Sequence, residues 1–529
     1  MTGRTSGRVV LVGAGPGDPG LLTLRGQRWL AAADVVVHDH LVHRRLLESV
    51  RPDAEIVLVG APHQDGGRLS QSAIEDLLVD RARSGKVVVR LKNGDPFVFG
   101  RGAEEAEALR RAGIPFEVVP GVTAAVAVPA YAGIPATHRD HASLVTIATG
   151  HQAWAPGAPE PSIPQLPWDV LAKQGGTLVF VMAVRQLAGV LAALVAAGLD
   201  AATPAALVHR GTLGSQRTIE GTAATLAARV REAGVGPPAV LVVGQVVSLR
   251  EQVRWFEERP LFGRRVVVTR PREQAGDLAR ALEDAGAEVV LFPTIAIAPP
   301  LDPVALDRAV AVSAGYDWIV FTSANGVRAF FARFAAQQRD VRELAPVRLA
   351  AIGPETAAEL ERRLLRPAVV PLEYRAEGLL EALAGEDLRG RRILLPRAAG
   401  ARPVLPETLV ERGASVDEVI AYRAVAPADA DVPGLRAALA AGDIDAVTFT
   451  SSSTVRHFVE LVGRDTIANL GGAPRPVVAC IGPVTAKTAR EAGLAVDVCP
   501  VEYTAPSLAA ALVDHFCNAT GDRLSRSVR

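Results

Sequence analysis

The sequence predicts a multidomain α/β protein with largely parallel sheets, its second half folded as two similar lobes with a cleft between them. The chain has 529 residues, beyond the size at which a single hydrophobic core keeps growing. Short β-branched runs, Val9–Val12, Val87–Leu91, Leu178–Val181 and Val240–Val243, alternate with Ala/Leu/Arg stretches of helical period, the pattern of sheets with crossover helices. The second half repeats itself. VVVTRP (Arg270) recurs as ILLPRA (Arg397), IVFTSANGVRAFF (Phe321) as VTFTSSSTVRHFV (Phe449), and AAIGPETAAEL (Ile352) as ACIGPVTAKTA (Ile481), at offsets of 127, 128 and 129 residues. Three matches in one order at one spacing mark a domain duplication, since solenoid repeats are much shorter.

Composition bounds the function. Apolar residues make up 49% of the chain and the charges balance at 57 against 57, which argues against disorder and provides no global field to attract nucleic acid. Lysine appears only at Lys86, Lys92, Lys173 and Lys487, so the basic residues are almost all arginines, whose planar forks suit carboxylates; a genome-wide codon bias would produce the same excess. Cys480, Cys499 and Cys517 lack any paired metal spacing and fit a reducing, cytoplasmic setting. The N-terminal MTGRTSGR runs straight into a strand-like VVLVGAG without the pattern of a secretory leader. The longest apolar run, Leu187–Leu199, is too short to cross a bilayer and reads as a buried helix, so no membrane segment is expected.

Element by element, the first strand leads into GAGPGDPG, Gly13–Gly20, and then a helical stretch, LLTLRGQRWLAAA. This is a nucleotide-type turn but not the dinucleotide fingerprint, because Asp18 occupies the place of the third glycine. Alone it reads equally as a tight turn without a ligand. There follow ADVVVHDHLV (Ala33–Val42), VVRLKNGDPFVFGRGAEE (Val88–Glu105), VPGVTAAVAVPAYAGIPATHRD (Val119–Asp140) and TGH (Thr149–His151). In order and spacing these motifs resemble the tetrapyrrole methylases, most closely the uroporphyrinogen-III C-methyltransferases, over about the first 255 residues.

The resemblance implies two α/β domains within residues 1–258, with S-adenosyl-L-methionine in the trough between them and uroporphyrinogen III methylated twice to precorrin-2. It places the cofactor at Pro16, Asn93, Gly94, Asp95, Val98, Thr123, Ala124, Met182 and Gly211, largely through backbone groups. Gly94 would permit close backbone approach, and Asp95 would take the cofactor's amino or ribose hydroxyl hydrogens. Asp39 matches the proton acceptor, although a helix N-cap is its ordinary alternative. His138 and Arg139 are candidates for substrate carboxylates, or else a structural pair. The family's lysine after a Val-Gly pair is replaced by Ala61, which leaves His63 or Lys92 as substitutes, or a dispensable lysine, or an impaired methylase. Its GGD is NGD here, with Asn93 able to take the same left-handed backbone.

EERPLFGRR carries charge, a proline and a glycine and sets the boundary near Pro260. Beyond it, TRP, FTSANGV, IGPETA, YRA, FTSSSTV and IGPVTA resemble the uroporphyrinogen-III synthases across 262–517. That resemblance implies two flavodoxin-like parallel-sheet lobes, the first about 262–297 plus 427–517 and the second about 298–426, joined through IAIAPPLDP and YRAVAPADADVP, with 518–529 a disordered tail. It implies closure of hydroxymethylbilane with inversion of the last ring. Tyr422 matches the tyrosine proposed to assist departure of the hydroxyl, or packs as a hinge aromatic. Ser323, Asn325, Thr356, Ser451, Ser452 and Thr485 sit at turns or helix starts suited to acetate and propionate groups, where ordinary capping is the alternative. Arg270 and Arg397, equivalent in the repeat, are candidate carboxylate partners.

The two activities are consecutive, since the synthase product is the methylase substrate. A later-acting corrinoid methylase fused to the synthase, or a C-terminal tetrapyrrole-sensing module, are the alternatives; KNGDPFVFGRG and ATHRD oppose the first, Tyr422 and the paired FTS turns the second. The partners expected are small-molecule tetrapyrroles and a second copy of the chain through the N-terminal half, with no nucleic acid, membrane or metal. The siroheme and cobalamin branches are both open.

Overall fold

The computed structural model describes residues 7–60, 69–151, 163–270, 272–425, 427, 430–469 and 475–527, so Ala61 and His63 lie outside the described residues. The first sheet comprises β1 (Arg8–Gly13), β2 (Val35–Asp39), β3 (Glu55–Val59), β4 (Val87–Lys92) and β5 (Phe116–Val119) in the order β3-β2-β4-β1-β5, all parallel. Strand side chains alternate faces, and both faces are covered. Val9 and Leu11 of β1 pack with Leu78 and Leu109 on one side, Val10 and Val12 with Leu30 on the other. Burial on both faces is why β1 reads as an unbroken apolar run.

The second sheet comprises β6 (Val145–Thr149), β7 (Thr177–Val181), β8 (Pro204–His209), β9 (Arg217–Thr222) and β10 (Ala239–Val243) in the order β6-β7-β10-β8-β9. Only β6 and β7 run parallel; the other three pairings are antiparallel. The expectation of largely parallel sheets therefore fails here. Leu178–Val181 and Val240–Val243 are buried runs whose composition carries no information on direction, and the short turn between β8 and β9 enforces a hairpin.

The C-terminal half contains β11 (Arg265–Val268), β12 (Glu288–Leu291), β13 (Ala296–Ala298), β14 (Trp318–Phe321), β15 (Arg348–Ala351), β16 (Arg392–Ala398), β17 (Ser415–Val425), β18 (Ala446–Phe449) and β19 (Val477–Cys480). They form one parallel sheet, β12-β11-β18-β19, and a second, β13-β17-β16-β14-β15, parallel except for the β13·β17 pair. The two segments expected to cross between lobes meet in this antiparallel pair, Ala296 opposite Val425. β13 straddles the expected lobe boundary at 297/298. The duplication is visible in three dimensions: β14 and β18 each lead into a helix, Ala324–Ala336 and Ser452–Val462, and β15 and β19 into Pro354–Glu361 and Pro483–Glu491. The last helix, Ala505–Ser527, carries helical backbone into the segment expected to be disordered. All three cysteines are free thiols, and no helix among the described residues is long and apolar enough to cross a membrane.

Candidate active sites

A cleft of about 1670 Å³ lies between the two N-terminal sheets, and every one of the nine positions assigned above to the cofactor lines it, together with Asp39. Three loops converge there on glycines. The N–H of Gly94 donates to Gly15 O at 2.8 Å, and a Cβ on Gly121 would lie 2.3 Å from Gly94 O and 2.6 Å from Gly13 Cα. Gly94 has φ +69°, a conformation that side chains disfavour. Met182, Arg210 and Thr212 hold positive φ without being glycine, which places strained backbone on both sides of Gly211 and at the cleft wall. A Cβ on Gly211 would meet Val128 Cγ1 at 2.4 Å. Thr123 caps the helix Ala124–Tyr131. Asp95 accepts from Phe97 N at 2.8 Å and Gly121 N at 2.9 Å, so its carboxylate first of all shapes the loop. Asn93 lines the cleft, and its Oδ1 is buried without a partner, an unsatisfied acceptor of the kind a ligand's donor can satisfy. These groups suit a compact adenosyl ligand held mainly by backbone.

Asp39 ends β2 in a buried charge cluster. Its carboxylate accepts from Arg90 Nη2 at 2.5 Å and from Asn93 N at 3.2 Å. Arg90 Nε donates to Glu105 Oε1 at 3.0 Å and Lys92 Nζ to the same oxygen at 2.9 Å. Burial works against the Arg90 charge, but Asp39 and Glu105 together raise its pKa. Burial pushes the Lys92 ammonium down and Arg90 adds to this, while Glu105 opposes both. Asp39 is thus clamped by a permanent cation at the cleft wall and caps no helix. His138 and Arg139 do not line the cleft; His138 Nδ1 accepts from Asp140 N at 3.2 Å and its ring packs on His141. Arg44 and Arg185 line the cleft, and both are exposed. The run HLVHRR directly after Asp39 was the signal for the first; nothing in the sequence singled out the second.

In the C-terminal half, Tyr422 hydroxyl lies 2.9 Å from Ser323 Oγ. A β-bulge between β16 and β17 sets Tyr422 opposite Ala398 and re-aims its side chain. Ser323 also caps the helix Ala324–Ala336, accepting from Gly326 N at 3.0 Å, and Asn325 accepts from Arg328 at 2.9 Å. Ser451 caps the matching helix through a capping box, while Ser452 accepts from Thr488 Oγ1 at 2.8 Å. Thr356 and Thr485 are buried, so their hydroxyls are not presented at the surface. Arg397 is buried, 3.2 Å from Glu418, and donates to Arg402 O. Arg270 approaches Glu355 at 3.6 Å, a contact between the two lobes. The structure therefore joins Tyr422 to Ser323 and leaves the two arginines in different settings.

Residues 8–227 match the tetrapyrrole (corrin/porphyrin) methylases and residues 276–510 the uroporphyrinogen-III synthase HemD family. The chain is 37% identical to the porphyrin biosynthesis protein HemD of Ruminiclostridium josui over 488 residues, 92% of this chain and 94% of that protein. It is 38% identical to the uroporphyrinogen-III C-methyltransferase of Bacillus subtilis over 360 residues, 68% and 72% of the two chains. The crystal structure of the uroporphyrin-III C-methyltransferase of Thermus thermophilus is 42% identical over 47% of this chain and 97% of its own, with a TM-score of 0.38. With both halves matched in order and one relative aligned along nearly its whole length, the chain belongs to the porphyrin-biosynthesis family in which a tetrapyrrole methylase precedes a uroporphyrinogen-III synthase.

Proposed function

We propose that the C-terminal half cyclises hydroxymethylbilane to uroporphyrinogen III with inversion of the last ring, and that the N-terminal cleft methylates this product twice with S-adenosyl-L-methionine to give precorrin-2. The observation that carries the reading is the convergence of Asp39 and all nine cofactor positions on one cleft. The cofactor supplies an electrophilic methyl on a sulfonium. The chain's own part is alignment and proton removal. Gly94, Thr123, Ala124 and Gly211 present backbone at close approach, Asn93 offers a buried acceptor, and Arg44 and Arg185 face the carboxylates of the polyanionic substrate. Asp39, oriented by Arg90, receives the proton that the methylated pyrrole carbon releases.

In the C-terminal half, loss of the bilane hydroxyl leaves an electrophilic azafulvene that the far ring attacks. Tyr422 donates its proton to the departing hydroxyl, with Ser323 fixing the phenol, and confinement between the lobes brings the chain ends together. We place both reactions in the cytoplasm and expect a homodimer through the N-terminal half. The test is anaerobic incubation of purified protein with uroporphyrinogen III and S-adenosyl-L-methionine. The mass gain of two methyl groups is the expected result; turnover of precorrin-2 without turnover of uroporphyrinogen III would instead make this a later-acting methylase.

A further inference from the structure

The C-terminal half touches the methyl-transfer cleft itself. β12 is the outermost strand of its sheet and, among the described residues, pairs only with β11. Glu288 N donates to Arg264 O at 2.8 Å and Phe292 N to Val268 O at 3.0 Å, so these alternate residues bond into the sheet. In a strand the residues between them turn their backbone groups the opposite way. Those residues are Val289 and Leu291, and both line the cleft. A free strand edge is a row of unpaired donors and acceptors that proteins normally blunt or cover; here it borders the site.

The wall is fastened to the N-terminal half at several points. Arg45, at the cleft, forms an ion pair with Glu283. Arg210 lies 3.2 Å from Glu288, and Gly263 N donates to Gly214 O at 3.0 Å. A Cβ on Gly214 would stand 2.4 Å from Glu288 N and 2.5 Å from Ala287 C. The loop so gripped, 210–214, carries Gly211. Glu283 and Glu288, on the C-terminal side of the wall, each contact an arginine of the N-terminal half.

We propose that the synthase half completes the methyl-transfer site: the free edge of β12 forms one wall of the cleft, and the outward amides of Val289 and Leu291 take a carboxylate of the bound porphyrinogen. This rests on the reading of the cleft as a uroporphyrinogen-III methylase. The synthase domain then acts on the second reaction as a substrate-positioning element as well as supplying its substrate.

The test uses the full chain with S-adenosyl-homocysteine filling the cofactor position. Hydrogen exchange across Glu288–Phe292 is measured with and without uroporphyrinogen III, and exchange there slows on binding. Val289→Pro removes one outward donor while leaving the inward bonds, a substitution that an edge strand tolerates. It raises the KM for uroporphyrinogen III about tenfold with kcat little changed, the pattern of a lost binding contact, and leaves synthase turnover intact as proof of folding. Gly214→Ala, which pushes the wall away from the other side, raises the same KM. Unchanged exchange and unchanged KM in a protein that does methylate uroporphyrinogen III would overturn the proposal alone. Failure of the unaltered protein to methylate uroporphyrinogen III would remove the underlying reading, and the proposal with it.

Discussion

Asp39 and Tyr422 are the two side chains on which the proposed chemistry turns, and each has a partner that fixes it. Asp39→Asn keeps the size of the group but cannot take a proton, so methylation falls by on the order of 10²–10⁴-fold while S-adenosyl-L-methionine binding, measured by calorimetry, is retained. Tyr422→Phe removes the hydroxyl 2.9 Å from Ser323 and lowers cyclisation by on the order of a hundredfold, measured as uroporphyrinogen III against the spontaneous type I isomer; an unaltered rate would make the residue a packing aromatic. At this scale the sequence was most legible where backbone carries the function. The turn at Asn93–Gly94 was legible because Gly94 holds φ +69°, a backbone that side chains disfavour, and it lies against the backbone of Thr123–Ala124. Arginines were less legible. Arg397 and Arg270 are equivalent in the repeat, yet one is buried beside Glu418 and the other spans the lobes, since a repeat conserves the fold of each unit and not its neighbours.

At the scale of elements, the glycine contacts between loops set the cleft. Gly13 has an ordinary backbone, but a Cβ there would lie 2.5 Å from Gly121 and 2.7 Å from Gly94 O. Gly13→Ala therefore forces three loops apart. It should destabilise the N-terminal half by an overpacking cost of about 1–3 kcal/mol and weaken S-adenosyl-L-methionine binding, with cyclisation untouched; unchanged cofactor affinity would argue that these loops do not form the cradle. The elements themselves were largely legible. The offsets of 127 to 129 residues predicted two matching strand–helix–strand–helix units, and the proline-rich crossings became the β13·β17 pair. Strand direction in the second sheet was not legible, because burial on both faces erases the alternation that distinguishes a half-buried antiparallel strand.

One of the contacts that join the two halves, Arg45 with Glu283, titrates. Burial pushes the Glu283 carboxyl up from 4.5 to about 7 against the opposing Arg45, with Asp18, Glu48 and Asp284 adding to the rise. Docked halves then hold that proton more tightly than separated ones. The resulting stabilisation of the contact is complete below 4.5 and is lost as pH rises through about 7. The urea midpoint for separation of the halves should accordingly fall between pH 5 and 7 and level off above, and Glu283→Gln should flatten the dependence. None of this docking could be read from the sequence, where the linker around Pro260 suggested only independent units. The central claim, two consecutive reactions in one chain, is tested most directly by giving the purified protein hydroxymethylbilane anaerobically, with and without S-adenosyl-L-methionine, and identifying products by mass and absorbance. The account predicts uroporphyrinogen III without the cofactor and precorrin-2 with it. Only the spontaneous type I isomer, or uroporphyrinogen III unmethylated in both tubes, would contradict it.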